Sequence, residues 1–220
     1  MRVVVNAAIS ADGKLSSRKR EQIEISGPDD FGRVDGLRAE SDAVMVGVGT
    51  VVADNPSLTI DSDARVERRK EAGKPPQPAR VVADSRIRTP PTAAVLDDAA
   101  ESFLLVTEAA PTDFVQEMDE EGAVVITAGQ RQVDLPTAFE ALESHGIEQL
   151  MVEGGGEIIY SLFEAELVDE LSVFVGPLII GGREAPTLAD GDGFVSEFPE
   201  LDLDGVKRLD GGVLLEYDVR

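Results

Sequence analysis

Short apolar runs of the kind that form buried strands alternate with helical patterns along most of this chain. Segments such as Ala43–Val48 show no polar alternation, which is typical of strands covered on both faces. Alternation of strands with helices predicts a mainly parallel sheet that has helices on both faces. The sequence Asp210-Gly-Gly lies between two further apolar runs and predicts a closing antiparallel hairpin. The expected fold class is therefore α/β, with a single mainly parallel mixed sheet flanked by helices and a C-terminal antiparallel hairpin.

The element boundaries follow from the apolar periodicity and from the turn residues between the runs. The predicted strands are Val3–Ile9, Ala43–Val48, Arg80–Asp84, Phe103–Thr107, Ala123–Thr127, Gln149–Glu153, Leu171–Val175, Leu178–Ile180 and Val213–Val219. A helix is expected to begin at a Ser26 cap, with Pro28 in its first turn, and further helices are expected near 111–120, 136–145 and 156–165. The charged, proline-rich residues 61–79 are predicted to be a surface loop. One domain over residues 1–220 is expected.

The composition excludes several classes of active site. The chain has no cysteine and one histidine, so disulfides, thiolate nucleophiles, Cys-zinc sites, His-cluster metal sites and a Ser-His-Asp triad are excluded, and no metal site is expected. That histidine, His145, precedes a glycine at a predicted helix end, where it suits the helix dipole. The formal net charge of -23 makes nucleic acid an improbable partner.

The acidic residues are dispersed along the whole chain rather than gathered in a tail. Such a surface suits a cytoplasm of very high salt, where screening removes the self-repulsion of the carboxylates. A halophilic source is therefore hypothesised. No apolar run approaches the roughly 20 residues of a membrane span, and the N-terminus lacks the zones of a secretory signal, so a cytoplasmic protein without a membrane partner is expected.

Two glycine clusters follow predicted strands. Gly47-Val-Gly49-Thr50 could let backbone amides approach a phosphate or could be a plain turn, and the two interpretations are about even. Valine at position 52 argues against a Rossmann fingerprint. Glu153-Gly-Gly-Gly-Glu157 favours a backbone cradle for a pyrophosphate, because three successive glycines cost backbone entropy that a simple turn does not require. Glu153 lies at the carboxyl end of a strand, where open α/β sheets bind ligands.

Two other polar segments say little by themselves. Ser10-Ala-Asp12-Gly13-Lys14 contains an Asp-Gly turn, and Lys14 either binds a phosphate or a carbonyl or is merely solvated. Asp54-Asn-Pro56-Ser-Leu58-Thr59 marks a turn.

Taken together, these segments resemble the diaminohydroxyphosphoribosylaminopyrimidine reductase family of riboflavin biosynthesis, in its stand-alone archaeal and fungal form. The resemblance runs roughly from Val3 to Val219. It is carried by the order and spacing of the segments at 6–14, 37–50, 51–59, 80–85, 151–156, 167–171, 177–182 and 185–187. The family implies a dihydrofolate-reductase-like fold, a homodimer, and a nicotinamide cofactor that is usually NADPH, with NADH as the alternative.

The resemblance also assigns expected roles to residues. Positions expected to bind the cofactor are Gly47, Gly49, Thr50, Asp54, Asp84, Ser85, Arg86, Val152, Glu153, Gly154, Gly155, Gly156 and Glu157. Positions expected to bind the phosphorylated ribosylaminopyrimidine substrate are Asn6, Asp12, Lys14, Ser26, Arg33, Pro56 and Leu58. The cofactor 2′-phosphate has Arg86 and Arg88 as candidate partners.

The family reaction reduces C1′ of the ribosyl group to give a ribityl chain. Because no histidine is suitably placed, a carboxylate is expected to handle the proton, with Glu153 as first choice and Asp30 as second. Bacterial members usually carry a basic residue just after the Leu-Thr pair, where Asp61 stands here, so Lys14 and Arg33 are the expected phosphate contacts. Bacterial relatives also carry a zinc deaminase, whose cysteine ligands this chain lacks.

Three alternatives remain open from the sequence. One is a dihydrofolate or related pterin reductase, which would usually carry a tryptophan near its substrate, and this chain has none. Another is a reductase that acts on a different phosphosugar-heterocycle. The third is a non-catalytic NADPH-binding protein, which would oxidise no cofactor when substrate is added.

Overall fold

The computed structural model describes residues 1–220 and contains nine strands and six helices. The strands are β1 (Arg2–Ser10), β2 (Ala43–Gly47), β3 (Ala79–Ala83), β4 (Ser102–Val106), β5 (Val124–Thr127), β6 (Gln149–Val152), β7 (Glu170–Gly176), β8 (Leu201–Leu209) and β9 (Gly212–Val219). The helices are α1 (Pro28–Glu40), α2 (Val48–Asp54), α3 (Asp63–Glu71), α4 (Thr112–Glu120), α5 (Leu135–Ser144) and α6 (Gly156–Glu164). A short 3-10 turn spans Ala94–Leu96.

These elements confirm the predicted α/β class, with a mainly parallel mixed sheet flanked by helices and a C-terminal antiparallel hairpin. Eight of the nine predicted strands and the three helices predicted by range match within one residue at each end. The predicted strand Leu178–Ile180 is the exception.

The chain divides into two compact units. The first comprises Met1 and residues 35–151. Its strands lie in the order β5-β4-β3-β2-β6, and the β2–β3, β3–β4 and β4–β5 pairs are parallel. Phe103, Leu104 and Leu105 of β4 are all fully buried, so this strand is covered on both faces.

The second unit comprises residues 2–34 and 152–220. In it β1 pairs in parallel with β7, β9 runs antiparallel to β7, and β8 runs antiparallel to β9. Ile25, Phe174 and Leu214 form part of its core. Whether residues 1–220 act as one reductase domain stays a prediction.

The prediction of a loop over residues 61–79 was wrong, because residues 63–71 form α3. Asp63 in the first turn and Arg68 to Lys70 in the last turn suit the helix dipole. Arg69 is buried, and its guanidinium donates to the carbonyls of Ala39, Ser41 and Pro75. Buried hydrogen bonds of this kind stabilise a segment whose composition alone is typical of a solvated loop.

The predicted strand Leu178–Ile180 was also wrong, because these residues form no ladder. The carbonyl of Leu178 accepts from the amide of Ala11, and the amide of Ile180 donates to the carboxylate of Asp12. Ile179 is 74% exposed. The backbone groups of this apolar run are therefore bonded by a loop rather than by a neighbouring strand.

The start of the first helix was predicted one residue too early. Ser26 was expected to cap it, but α1 begins at Pro28, and the amide of Phe31 donates to the carbonyl of Gly27. The first-turn amides instead donate to the carboxylate of Asp210, in the turn between β8 and β9. The cap comes from a residue far away in sequence, which local spacing does not reveal.

The expected position of the single histidine is confirmed. His145 is the C-cap of α5, and Gly146 follows it in the left-handed region with φ of 85°. None of the helices combines the length and apolar character needed to cross a membrane.

Candidate active site

A buried polar network joins α1 to two neighbouring strands of the second unit. Asn6 of β1 and Ser172 of β7 are register partners, so their side chains share one face of the sheet. Arg33 of α1 donates from Nη2 to Oδ1 of Asn6 at 2.7 Å and from Nη1 to Oγ of Ser172 at 3.0 Å. Its Nε donates to Oδ1 of Asp30 at 2.8 Å. The structure thus brings together three of the predicted residues: Asn6, Asp30 and Arg33.

Burial determines what this network can do. The Asp30 side chain is 2% exposed and forms an ion pair with Arg33, so its carboxylate has a fixed partner inside the protein. The Arg33 side chain is 19% exposed. A guanidinium carries five N–H donors. Both Nε and Nη2 lie 2.8 Å from Oδ1 of Asp30, so with the hydrogen bonds to Asn6 and Ser172 one donor, on Nη1, is left for an anionic or carbonyl ligand.

The loop after β1 is held by Asp12. Its carboxylate accepts from Oγ of Ser10 at 2.6 Å and from the amides of Ile180 at 3.0 Å and Gly181 at 2.8 Å. The hydrogen bond from Ser10, followed by that from Ile180, lowers the pKa of Asp12 to about 2. Asp12 therefore joins two loops of the second unit through hydrogen bonds that favour its charged form.

Lys14 lies next to this turn. Gly13 has φ of 80°, a left-handed conformation that favours glycine. The ammonium group of Lys14 contacts the carbonyl of Ala185 at 3.3 Å and has no carboxylate partner. Two of its N–H donors are left for another acceptor, and the expected contact of Lys14 with a phosphate stays a prediction.

The triple-glycine segment connects β6 to α6. Gly154 has φ of 117°, and its peptide bond to Gly155 is cis. Gly155 is the N-cap of α6, and no side chain caps the first-turn amides of that helix. A Cβ on Gly156 would overlap the carbonyl oxygen of Thr187 and lie 2.9 Å from Oδ2 of Asp190. Glycine is thus required at positions 154 and 156 for two different reasons.

The flanking residues of this segment differ in environment. Val152 is fully buried at the end of β6, Glu153 is half-buried, and Glu157 is exposed in the first turn of α6. Uncapped first-turn amides at the positive end of a helix are suited to a phosphate or pyrophosphate.

In the first unit, the segment 47–58 follows β2. Gly47 is the N-cap of α2, again without a capping side chain, while Gly49 is exposed and Thr50 half-buried. Burial raises the pKa of Asp54, which lies in the last turn of α2. At the end of the segment, Pro56 is half-buried. Leu58 is 1% exposed, so its side chain belongs to the core.

The end of β3 leads into a tight turn that is organised by Asp84. This residue is fully buried, and its Oδ2 accepts from the amides of Arg88 and Thr89 and from the Thr89 hydroxyl, at 2.6 to 2.8 Å. Its Oδ1 is buried without a hydrogen-bond partner. Ser85 is half-buried, and its Oγ accepts from the amide of Val133.

The same turn exposes Arg86 and Arg88. Neither guanidinium makes a hydrogen bond or an ion pair in the structure. Two cations without partners at the carboxyl end of a strand are suited to an additional phosphate group.

The sequence did not single out several residues that organise these sites. Ser172 could have been found from strand periodicity once the register was known. Asp210 was interpreted only as a turn residue.

Asp35 was also missed: it accepts from the amide of Asp61 at 2.6 Å and from Nη1 of Arg65 at 2.5 Å. Burial opposes ionisation there, but the Arg65 and Asp61 hydrogen bonds prevail and lower the pKa of Asp35.

Asp35 binds both the backbone amide of Asp61 and the side chain of Arg65. The ion pair between them is held by a residue of α1 and a residue of α3. A cation therefore lies four residues after Asp61, although it is paired with Asp35.

The chain is similar to named proteins over nearly its whole length. It is 47% identical over 195 residues to the 2,5-diamino-6-ribosylamino-4(3H)-pyrimidinone 5′-phosphate reductase of Archaeoglobus fulgidus, and the match covers 89% of each protein. It is 42% identical over 220 residues to the protein of the same name from Methanothermobacter thermautotrophicus, covering 99% of this chain and 98% of that protein.

A solved structure supports the fold. The pyrimidine reductase-like protein of Corynebacterium diphtheriae matches with a TM-score of 0.88 at 19% identity, covering 100% of this chain and 92% of that one. Likeness at this identity concerns the fold alone, and the predicted dihydrofolate-reductase-like fold class is confirmed. Residues 1–215 match the family described as the RibD C-terminal domain, and the chain therefore belongs to that family.

Proposed function

We propose that this chain is a reductase of riboflavin biosynthesis that converts the ribosylamino group of 2,5-diamino-6-ribosylamino-4(3H)-pyrimidinone 5′-phosphate to the ribitylamino group. The observation that carries the proposal is the 42% identity over 99% of the chain with an archaeal protein of that name. The buried network of Asn6, Asp30 and Arg33 supports it, because the family resemblance expects these three residues near the substrate.

A nicotinamide cofactor, in its reduced form, would supply the hydride for reduction at C1′. The uncapped amides at the start of α6 and the left-handed backbone of Gly154 suit its pyrophosphate. We assign further contacts to Val152, Glu157, Gly47, Gly49, Thr50 and Asp54. The unpartnered Arg86 and Arg88 favour NADPH over NADH, since a 2′-phosphate would neutralise them.

Asp84 has a supporting role in this proposal. It is fully buried and holds the turn that carries Ser85 and Arg86, so we assign the ribose contact to Ser85 and the phosphate contact to Arg86. Charge reversal at Arg86 is then expected to raise the KM for NADPH and leave the KM for NADH unchanged. An equal effect on both cofactors would contradict the assignment.

Lys14 and Arg33 would provide positive charge for the substrate phosphate in the second unit, on a chain of net charge -23. Lys14 retains two N–H donors and Arg33 one that protein groups do not use. We place Asn6 and Ser26 of the same unit near the substrate, and the expected substrate contacts of Pro56 and Leu58 stay predictions. Charge reversal at Lys14 should raise the substrate KM.

We propose Glu153 as the group that transfers the proton. Asp30, the second choice, is paired with Arg33 and 2% exposed, whereas Glu153 is half-buried at the carboxyl end of β6. The variant Glu153→Gln should lower kcat by at least about tenfold while the protein stays folded. The matched control is Glu140→Gln, at an exposed position of α5, which should leave kcat unchanged.

The function is tested by the absorbance of the reduced nicotinamide in molar salt. Oxidation that depends on the ribosylaminopyrimidine phosphate, with a ribityl product found by mass spectrometry, is the expected result. Oxidation of cofactor with dihydrofolate instead, or binding of cofactor without substrate-dependent oxidation, would replace the proposal by one of the alternatives.

We also propose that the protein is a homodimer that uses one face of the β8–β9 hairpin. Leu201, Leu203 and Val206 of β8 are 38%, 56% and 57% exposed. Their register partners on β9 are Val219, Tyr217 and Leu215, and paired residues share one face of a sheet. A second copy would present the same apolar face, as a two-fold interface requires.

Sedimentation velocity tests the dimer. The unmodified chain should sediment as a dimer and Leu203→Lys as a monomer, with Leu203→Val as the control that keeps the apolar contact. A monomeric unmodified chain would contradict this part of the proposal. The cytoplasmic location stays a prediction.

A further inference from the structure

The turn between β8 and β9 brings one carboxylate against the start of α1. Asp210 accepts from the amide of Asp30 at 2.8 Å, from that of Gly27 at 3.2 Å and from that of Asp29 at 3.3 Å. Pro28 has no amide hydrogen to donate. The first-turn donors that a helix leaves without partners are thus satisfied by one side chain from the other end of the chain.

The fit is close on both sides of this contact. A Cβ on Gly27 would lie 2.8 Å from Cγ of Asp210, so glycine provides the space that the carboxylate occupies. Asp210 itself has φ of 47°, a conformation that aspartate tolerates better than most residues. The hairpin turn at Asp210 therefore packs closely against the start of α1 at Gly27.

The helix that is capped in this way carries Asp30 and Arg33. The amide of Asp30 donates to Asp210, while its carboxylate accepts from Nε of Arg33. Arg33 in turn donates to Asn6 of β1 and Ser172 of β7. Any shift of the first turn of α1 would move the guanidinium relative to these two strands.

We propose that Asp210 is a positioning residue for the substrate: it fixes the first turn of α1 and thereby sets the place of the Arg33 guanidinium. This inference rests on the proposed function for its kinetic consequence. Its structural part, the dependence of Arg33 on Asp210, stands without it.

The electrostatics favour a carboxylate in this position. The start of a helix carries a partial positive charge, which attracts the Asp210 carboxylate and partly offsets the repulsion from Asp29 and Asp30. Arg33 neutralises Asp30 directly. An asparagine at position 210 would keep one acceptor oxygen but lose the charge, so it should rescue the function in part.

The test compares Asp210→Ala and Asp210→Asn with the control Asp204→Asn. Asp204 is exposed on the same hairpin and makes no hydrogen bond or ion pair. We expect Asp210→Ala to raise the substrate KM about fivefold, equivalent to about 1 kcal/mol, with the cofactor KM unchanged. Asp210→Asn should fall between this variant and the unmodified chain, and Asp204→Asn should match the unmodified chain.

A second readout does not depend on catalysis. In Asp210→Ala, the Nε–H of Arg33 should exchange with solvent faster, as measured by NMR. A lower Tm with an unchanged substrate KM and unchanged Nε–H exchange would reduce Asp210 to a purely structural cap and overturn the proposal. If the unmodified chain does not turn over the substrate, the proposed function fails, and the exchange rate alone then decides the role of Asp210.

Discussion

Replacing Arg33 by methionine would remove the cation from the centre of the candidate site while keeping a long side chain. Asp30, whose side chain is 2% exposed, would lose both its ion pair and the hydrogen bond from Nε. Asn6 and Ser172 would each lose the donor that now lies 2.7 and 3.0 Å away. The variant therefore leaves an unpaired carboxylate in a site from which water is largely excluded.

The size of the effect follows from this burial. Removing one partner of a buried ion pair costs about 3–5 kcal/mol. The Arg33 side chain is 19% exposed, so water can partly solvate the space it leaves, and the lower end, about 3 kcal/mol, is expected. For a chain of this length, that corresponds to a fall in Tm of about 6–12 °C.

Urea unfolding in molar KCl measures the change, because guanidinium chloride would itself alter the ionic strength. The double variant Asp30→Asn, Arg33→Met should recover about 2 kcal/mol, since it removes the uncompensated charge. The control Lys70→Met breaks an exposed pair with Glu67 and should change the unfolding free energy by less than about 0.5 kcal/mol. A cost for Arg33→Met as small as that control, or strict additivity in the double variant, would refute the account of a buried, coupled network.

Three further predictions concern other parts of the molecule. Gly156→Ala should destabilise the chain by about 1–3 kcal/mol in urea unfolding, because the added Cβ meets Thr187 and Asp190. The control Gly32→Ala, which has open space around it in α1, should stabilise the chain by about 0.5–1 kcal/mol. Equal effects of the two substitutions would mean that the segment 187–190 does not pack on Gly156. Folding lowers the pKa of Asp12 from 3.8 to about 2, so the unfolded chain binds more protons between these values and stability falls as the pH drops through them. Asp12→Asn should be less stable than the unmodified chain at pH 7 and approach it near pH 2, and a difference that does not depend on pH would contradict the role of the carboxylate. The Tm should rise from dilute to molar KCl because salt screens a net charge of -23, and a flat or falling Tm would remove the halophilic hypothesis.

The local sequence pattern was sufficient to predict most of the fold. Phe103 to Leu105 form a run with no polar alternation, and the structure buries all three, as expected of a strand covered on both faces. The Asp-Gly step at 210–211 predicted the hairpin, and Gly211 has φ of 76° there. These features depend on residues a few positions apart.

The elements that were mispredicted depend on distant partners. The composition of α3 is typical of a loop, but buried Arg69 bonds to Ala39 and Ser41, about thirty residues before it. Leu178 to Ile180 have the composition of a strand, yet the amide of Ile180 donates to Asp12 and the carbonyl of Leu178 accepts from the amide of Ala11. Periodicity carries no information about such contacts.

The candidate site shows the same division. The sequence and the family resemblance named Asn6, Asp30 and Arg33, and the structure places these three in one network. Ser172 and Asp210, which complete and position that network, follow only from strand register and from the hairpin contact.

The central claim is that this chain reduces C1′ of a ribosylamino group with a hydride from a nicotinamide cofactor. Mass spectrometry and NMR of the product formed with cofactor deuterated at C4 of the reduced ring test it most directly. The account predicts deuterium from one face of that ring at C1′ of the ribityl product. Absence of the ribityl product, or deuterium at C1′ that comes only from D2O as solvent, would contradict it.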